Sequence, residues 1–403
     1  MVSDPELVKK IFTGDPSVLR AGEGNSILRP VLGNRSVLLL DGPEHLRQRR
    51  LLLPPFHGER MSAYRQLMRD VTNAAIDEWP IGEDMPLLPR FQAITLDIIL
   101  RAVFGVGPDD HQADPLREAM RRMMSWGTTP LAALFMIREA AGKLGPWPLI
   151  KPTLARADAL LYRHIAERRA AGDLAESDDV LSMLLQAVDE DGNPMTDQEL
   201  RDELMTLLTA GHETTATALS WAWERLLRQP DDLARLREEA LGADIEDGWI
   251  DGVIREAMRR RPPIPIVVRR LAEPWTLRDE DGPLPTGTLV APSIWLIHHR
   301  PDIYPEPGAF KPERWLDTKP DTYRWLPFGG GIRRCLGASF ALLEMREVLR
   351  TVAARVDLEA TYPTSRREPI TRRAIVISPR HGTMARVVAK RPAGDLAAAD
   401  VTA

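Results

Sequence analysis

The sequence predicts a mainly α protein with small β-sheets (α+β), organised around one long central helix. Three observations carry this. Apolar residues recur at close to helical spacing through most of the chain as far as Arg261. Thr196, with Glu199 three residues on, forms a capping box ahead of a run to about Arg228. That run turns apolar through Leu204, Leu207, Leu208, Ala218, Leu219 and Trp221, so it must pass through the interior. Strand-like alternation comes late and in short pieces, at Ile266 to Arg270, Thr288 to Val290, Ala374 to Ser378 and Met384 to Val388.

The elements follow in order. Residues 4–13 form a short helix, with Ser3 or Asp4 as cap and Pro5 at its first position. Gly14 to Asp41 is a loop closed by the Asp41-Gly42-Pro43 turn. A basic helix follows at Glu44 to Leu51, then helices at 62–79, 91–105 and Asp114 to Trp126. Residues 127–150, rich in Gly, Pro and large apolar groups, connect to a helix at Lys151 to Ala171. Beyond the central helix, 231–241 and Gly248 to Arg261 are helical, the latter stopped by Pro262-Pro263. Residues 292–299 begin another helix, and 301–325 form a Pro-rich meander. A long apolar helix runs on from Ala338 through Val352.

Composition narrows the function. The 403 residues are 44% hydrophobic and 28% charged, an ordinary globular balance able to enclose a large cofactor. Lys and Arg number 53 against 58 Asp and Glu, a net charge of −5 that gives nucleic acid no purchase. One cysteine rules out an intramolecular disulfide, a Cys-rich zinc site and a four-cysteine iron–sulfur cluster. Any electrons must therefore come from another protein. Met1 to Lys10 has no apolar signal region, and no stretch of ~18 apolar residues occurs, so the expectation is a cytoplasmic chain without a transmembrane anchor. With no repeat and no Gly/Ser linker, residues 1–390 read as one domain and 391–403 as a disordered tail.

Four groups of residues carry chemistry. The first is Phe328-Gly-Gly-Gly-Ile-Arg-Arg-Cys-Leu-Gly337, which holds Cys335 just ahead of a helix N-terminus. A cysteine so placed is easier to ionise, and thiolate is the form that binds metal. The three glycines Gly329, Gly330 and Gly331 let the backbone turn tightly and come close to something flat and bulky, with Gly331 and, past the cysteine, Gly337 as candidate cofactor contacts; Phe328 offers an aromatic wall and Arg333 a cation for carboxylates. A lone cysteine is more often a small buried hydrophobe, but F-x-x-G-x-R-x-C-x-G fixes five residues at set spacing. The second group is Ala210-Gly211-His212-Glu213-Thr214 in mid-helix. Gly211 weakens the helix, and Thr214 can bond back to the carbonyl of Ala210. Glu213 and Thr214 place an acid beside a hydroxyl for proton relay. A zinc H-E-x-x-H site is excluded, because residue 216 is Ala. Third, His45 and Arg49 share a helix face and offer two donors, the plain alternative being a solvated basic helix. Fourth, Glu256 and Arg259 stand one turn apart, with Arg314 downstream in Pro312-Glu-Arg-Trp315.

Together these motifs resemble those of the cytochrome P450 family, in the expected order over residues 3–390. The resemblance implies heme b with Cys335 as the axial thiolate and no other metal. It implies that His45, Arg49, Arg333 and Arg269 bind heme propionates, with Arg270 the alternative to Arg269 one place along. Ala210 and Gly211 would lie against the heme, while Glu213 and Thr214 manage protons in oxygen activation, favouring O2 over a peroxide-dependent variant. Glu256, Arg259 and Arg314 would form an ion network that holds the fold. The helices at Asp114 to Trp126 and Lys151 to Ala171, with the connection between them, would form a lid over the substrate. The implied activity is a monooxygenase reaction on a small hydrophobic substrate, using O2 and electrons from NAD(P)H through a reductase and a ferredoxin-type carrier, by a monomer. Family members generally carry a further N-terminal helix and two strands, which this chain would lack, leaving an open sheet edge. Two rivals remain: another heme-thiolate reaction such as desaturation, epoxidation or C–C coupling, and a non-catalytic heme-binding protein.

Overall fold

The computed structural model describes residues 1–56, 58, 60–127, 147–242, 248–362 and 367–393. Most of the expected connection at 127–150, and the tail from 394, lie outside the described residues.

The central helix spans Asp197–Leu226. Its capping box is present: the Glu199 N–H donates to Thr196 Oγ1 at 3.2 Å, and the Thr196 N–H to Glu199 Oε2 at 2.8 Å. Nearly every face is buried, from Leu200 and Leu204 to Trp221 and Trp223. Two carboxylates in its second turn catch the chain upstream, Asp202 Oδ2 accepting from Arg35 N at 2.8 Å and Glu203 Oε1 from Val37 N at 2.7 Å. These bonds order part of the stretch expected as loop. Gly14 to Asp41 in fact contains a strand Leu19–Arg20 and short helices Ala21–Gly24 and Arg29–Leu32. Helices of a single turn are too short to show a period, which is why the pattern missed them.

The helix Leu87–Ala102 lies against the central helix. It starts and stops a few residues earlier than the periodicity suggests. A Cβ on Gly211 would stand 2.8 Å from Ile99 Cδ1, so the glycine lets the two helices approach. Beside it, Thr95 Oγ1 and His212 Nδ1 are 3.0 Å apart. Burial and the Arg373 charge push the His212 pKa down to about 4, so this imidazole is a neutral packing group.

Helices Gly248–Arg260 and Ala338–Arg355 complete the bundle around the central helix. The sheets are small and antiparallel. Met384–Lys390 lies between Asp84–Pro86 and Val356–Ala360, and Arg269–Leu271 between Leu19–Arg20 and Leu289–Val290. A hairpin, Ile370–Arg373 with Val376–Pro379, packs on the central helix. Among the described residues, no helix is long and apolar enough to cross a membrane.

Candidate heme site

The glycine-rich loop is shaped first by its own packing. Gly329 and Gly331 have φ of +66° and +63°, which side chains rarely adopt. A Cβ on Gly331 would lie 2.2 Å from the carbonyl oxygen of Phe12, and one on Gly330 would lie 3.1 Å from the Phe12 ring. These glycines therefore admit the N-terminal helix Pro5–Thr13, where a flat cofactor was expected. Gly337 is different: a Cβ there would meet nothing within 4 Å. The Cys335 N–H donates to the Phe328 carbonyl at 2.9 Å and closes the loop. The Phe328 ring stands edge-on to Trp325.

Cys335 precedes the Ala338–Arg355 helix, whose N-cap is Gly337. Its side chain has open surface, yet protein encloses it on the scale that governs solvation. Burial pushes the thiol pKa up, against a lowering by the Gly337 N–H, Arg49 and Arg334. The helix start alone therefore does not make this cysteine acidic, contrary to the sequence expectation, because desolvation outweighs one amide and two partly exposed cations.

A second wall is visible in the central helix. Ala210 is exposed in the middle of this otherwise buried element, and Leu207, Gly211 and Thr214 around it are only half-buried. Their spacing puts all four on one face. Thr214 Oγ1 donates back to the Ala210 carbonyl at 2.6 Å, as the sequence suggests. The next hydroxyl, on buried Thr215, bonds Glu344 of the helix that follows Cys335, tying the two walls together.

Four expected cationic or imidazole groups converge beside them. His45 is buried, and burial with the charges of Arg333, Arg49 and Arg269 pushes its pKa down to about 3. The charges of all three guanidiniums act on this one neutral ring. Arg49 Nη1 donates to the Arg334 carbonyl at 2.8 Å. Arg333 is more engaged than expected, donating to the carbonyls of Val37 and Leu40 and, at 2.6 Å, to Asp41 Oδ1. Arg269 is buried and donates to its own neighbour's carbonyl, Val268, at 2.9 Å. Pairing of Arg269–Leu271 with Leu19–Arg20 settles the register. Arg270 turns outward and stays exposed, 3.9 Å from Glu23.

The cluster tests whether a heme fits. Asp41 is the carboxylate that pairs with Arg333 and acts on Arg269, one acid against the three guanidiniums of Arg49, Arg269 and Arg333. His45 Nδ1 is buried without a protein partner. This surplus of cations and the unmatched ring nitrogen suit a group that brings carboxylates of its own, next to the chain's single thiol. The residues fit.

The acid of the central helix sits in a half-built network. Gln92 Nε2 donates to Glu213 Oε2 at 2.5 Å. Arg373 Nε lies 3.2 Å from Glu213 Oε1, but without hydrogen-bond alignment, so that oxygen and that nitrogen both count as unmatched. Burial pushes the Glu213 pKa up, against Arg373 and Gln92. Sequence reasoning missed Gln92, Arg373 and Asp41. Their partners are 121, 160 and 292 positions away, and no local spacing signals such contacts. By contrast, the expected Glu256–Arg259 pair is present, two-pronged at 2.8 Å, with Arg314 Nε 3.6 Å from the same carboxylate.

Comparison with known proteins agrees with this geometry. The family model for cytochrome P450 matches residues 1–385. Cytochrome P450 135B1 of Mycobacterium tuberculosis is 42% identical over 394 residues, covering 97% of this chain and 82% of the relative. Cytochrome P450 135A1 of the same organism is 39% identical, covering 98% and 86%. Among solved structures, the heme domain of cytochrome P450DA superposes with a TM-score of 0.80 at 25% identity, over 98% of this chain and 87% of that one. A match that runs through all four motifs and nearly the whole chain makes this protein a member of the cytochrome P450 family, a heme-dependent monooxygenase whose iron is held by a cysteine thiolate.

Proposed function

We propose that Cys335 is the iron ligand and that the chain hydroxylates a small hydrophobic substrate, with electrons from NAD(P)H passed by a ferredoxin-type carrier and its reductase. The observation that carries the reading is the convergence of His45, Arg49, Arg269 and Arg333, from three distant stretches, beside the only thiol. Heme bound there supplies the redox and oxygen chemistry.

The chain's residues do the rest. Arg49, Arg269 and Arg333 hold the cofactor's carboxylates, and neutral His45 adds a ring nitrogen to the same site. Arg49, Arg334 and the Gly337 amide lower the cost of the thiolate. Leu207, Ala210 and Gly211 present an apolar surface broken by one hydroxyl, Thr214, which suits a hydrophobic substrate. Glu213 holds a proton more readily than an exposed carboxyl does and stands next to Thr214, so acid and hydroxyl can pass protons inward. Arg334 is exposed beside the thiol loop and offers a positive contact for an acidic electron carrier.

The test is the visible spectrum of the reduced protein with carbon monoxide. The long-wavelength band of thiolate-ligated heme is expected, and Cys335→Ala should abolish it. Bound heme with the band at its ordinary position in the parent protein would overturn the assignment. The docking contact is tested separately. Arg334→Glu should slow reduction by the carrier with the spectrum intact, and an unchanged rate removes Arg334 from that role.

A further inference from the structure

The central helix packs on the helix Gly248–Arg260, and the C-terminal ends of the two meet in a group of arginines that the heme chemistry does not use. Trp221 and Arg225 stand one turn apart on the central helix and share a face. The Arg261 guanidinium, just past the second helix, lies over the Trp221 ring at 5.2 Å and over the Trp295 ring at 5.0 Å. This seats Arg261 beside Arg225. Arg260 is turned the same way: the charge that acts on it most is that of Arg225, ahead of its own neighbours Arg261 and Arg259. Arg228 joins from the central helix, and Arg367, exposed to solvent, acts on both Arg225 and Arg261. Arg225 is eleven residues past Thr214, about 16 Å along the helix axis, so this group is separate from the heme site.

Five guanidiniums meet little negative charge here. Glu224 Oε1 accepts from Arg228 Nε at 2.5 Å, while Arg225 Nε lies 2.6 Å from Glu224 Oε2 but off the line of a hydrogen bond. The acid that acts on Arg260, Glu256, is already taken by Arg259, Lys311 N and Trp315 Nε1. Two helix C-termini add about one negative charge between them. The donors are as bare as the charges. The Nε of Arg225, of Arg260 and of Arg261 are all buried without a partner. Arg260 is 8% exposed, and among the described residues its guanidinium has no hydrogen bond or ion pair. Burial, followed by the charges of Arg225, Arg261 and Arg259, pushes its pKa down to about 9, so it is still a cation at neutral pH. A buried cation without a counter-ion is costly, and orphaned buried donors are rare. Three such donors in one cluster call for an acceptor that the chain does not supply.

We propose that the meeting ends of these two helices form a binding site for a phosphate-class oxyanion, held by Arg225, Arg260 and Arg261 and entered past Arg367. Guanidinium is the side chain best matched to such a group, because its planar fork meets two oxygens at once. A tetrahedral oxyanion has enough oxygens to accept from all three arginines and enough charge to offset them. Bound there, it ties the last turn of the central helix to the helix that carries Glu256 and Arg259. The anion is thus a removable brace on the scaffold and takes no part in the reaction, and the site does not depend on the roles assigned to Cys335 or Glu213.

The test melts heme-loaded protein in potassium phosphate and in potassium chloride of equal ionic strength, and titrates phosphate by calorimetry. The parent should bind phosphate saturably at millimolar concentration or below and gain several degrees in Tm. Phosphate also stabilises proteins by exclusion from their surface, so the deciding comparison is with Arg260→Gln. In chloride this variant should melt at or above the parent, because it removes a buried cation that has no counter-ion. In phosphate it should lose the saturable gain, with affinity down on the order of tenfold or more. No saturable binding by the parent, or parental binding by Arg260→Gln, would overturn the proposal. So would an Arg260→Gln protein that melts well below the parent in chloride, since Arg260 would then already be satisfied within the protein. Adenosine 5′-phosphate in place of inorganic phosphate identifies the source. If both bind, the site takes the phosphate group of a larger molecule; if inorganic phosphate alone binds, it is a closed ion site, and either result upholds it.

Discussion

Two helical glutamates in this protein each face an arginine, and they are built in opposite ways. Glu256 and Arg259 are both 0% exposed and saturated. The carboxylate accepts from Arg259 Nε and Nη2 at 2.8 Å, from Lys311 N at 3.0 Å and from Trp315 Nε1 at 3.0 Å. The guanidinium also donates to the carbonyls of His298, Pro307 and Ala309. Glu213 has one good bond, from Gln92, and an arginine that is near but misaligned. A carboxylate whose lone pairs are all taken is held still. One that is buried and under-bonded gains less from ionising and can change its proton at little structural cost. The first is built for architecture, and the second has the proton freedom that the proposed role of Glu213 requires.

The largest expected effect breaks the saturated pair. Arg259→Ala strands a buried carboxylate and three carbonyls, and should cost about 3–5 kcal/mol of stability. Denaturant unfolding and heme content measure this. Arg259→Lys should recover little, since a single ammonium cannot replace a fork aimed at four acceptor groups. If Arg259→Ala were as stable as the parent, saturation would not mark an architectural pair.

Glu213→Gln is the converse test. It should leave unfolding within about 1 kcal/mol of the parent, because the position already tolerates an uncharged form. Product formation should fall on the order of 10²-fold. A variant that loses stability and activity together would put Glu213 in the same class as Glu256.

How legible this contrast was depends on distance along the chain. Glu256–Arg259 is a one-turn pair, and the Thr196–Glu199 box, the Thr214–Ala210 bond and the His45–Arg49 face are equally local, so residue spacing revealed them. The heme motif was readable because its five fixed residues sit within one loop. Whether Glu213 is saturated depends on Gln92 from another helix and Arg373 from a hairpin, and neither residue carries a signature. Likewise, the choice between Arg269 and Arg270 required the pairing with Leu19–Arg20, itself part of a stretch read as loop. The glycines of the loop were read as making room for a cofactor. Gly331 instead makes room for Phe12, a contact across most of the chain.

A smaller effect sharpens the contrast through pH. The folded-state pKa of Glu213 is raised above its ordinary 4.5, so in that window the folded state binds more protons than the unfolded. Stability from this group is therefore fully present below 4.5 and lost as pH rises through the folded value. Glu203 and Glu344 are raised by burial in the same direction, so the whole protein shows a compound slope. Subtracting the Glu213→Gln stability curve from the parent's isolates this site. The difference should favour the variant increasingly as pH climbs above 4.5. Arg373→Ala removes the cation that opposes the shift, and should move that crossover to higher pH. A flat difference curve would mean that Glu213 is as well solvated in the fold as outside it.

The smallest expected effect concerns the glycine two places before this acid. Gly211→Ala gains about 1 kcal/mol of helix propensity. Against this, the new Cβ meets Ile99 Cδ1 at 2.8 Å, the movable end of its side chain, where no backbone atom blocks relief. Overpacking of this kind costs about 1–3 kcal/mol when nothing can give, and less when a terminal methyl can rotate. The two terms nearly cancel, so unfolding should shift by no more than about 1 kcal/mol in either direction. Any larger cost should appear in function, since Gln92 and Ile99 lie on the same helix, and pushing it away would loosen the one good bond that Glu213 has. A Gly211→Ala protein of parental stability whose melting curve acquires a steeper pH dependence would tie helix spacing to the acid. Parental behaviour on both counts would show that the spacing of these helices does not set the state of Glu213.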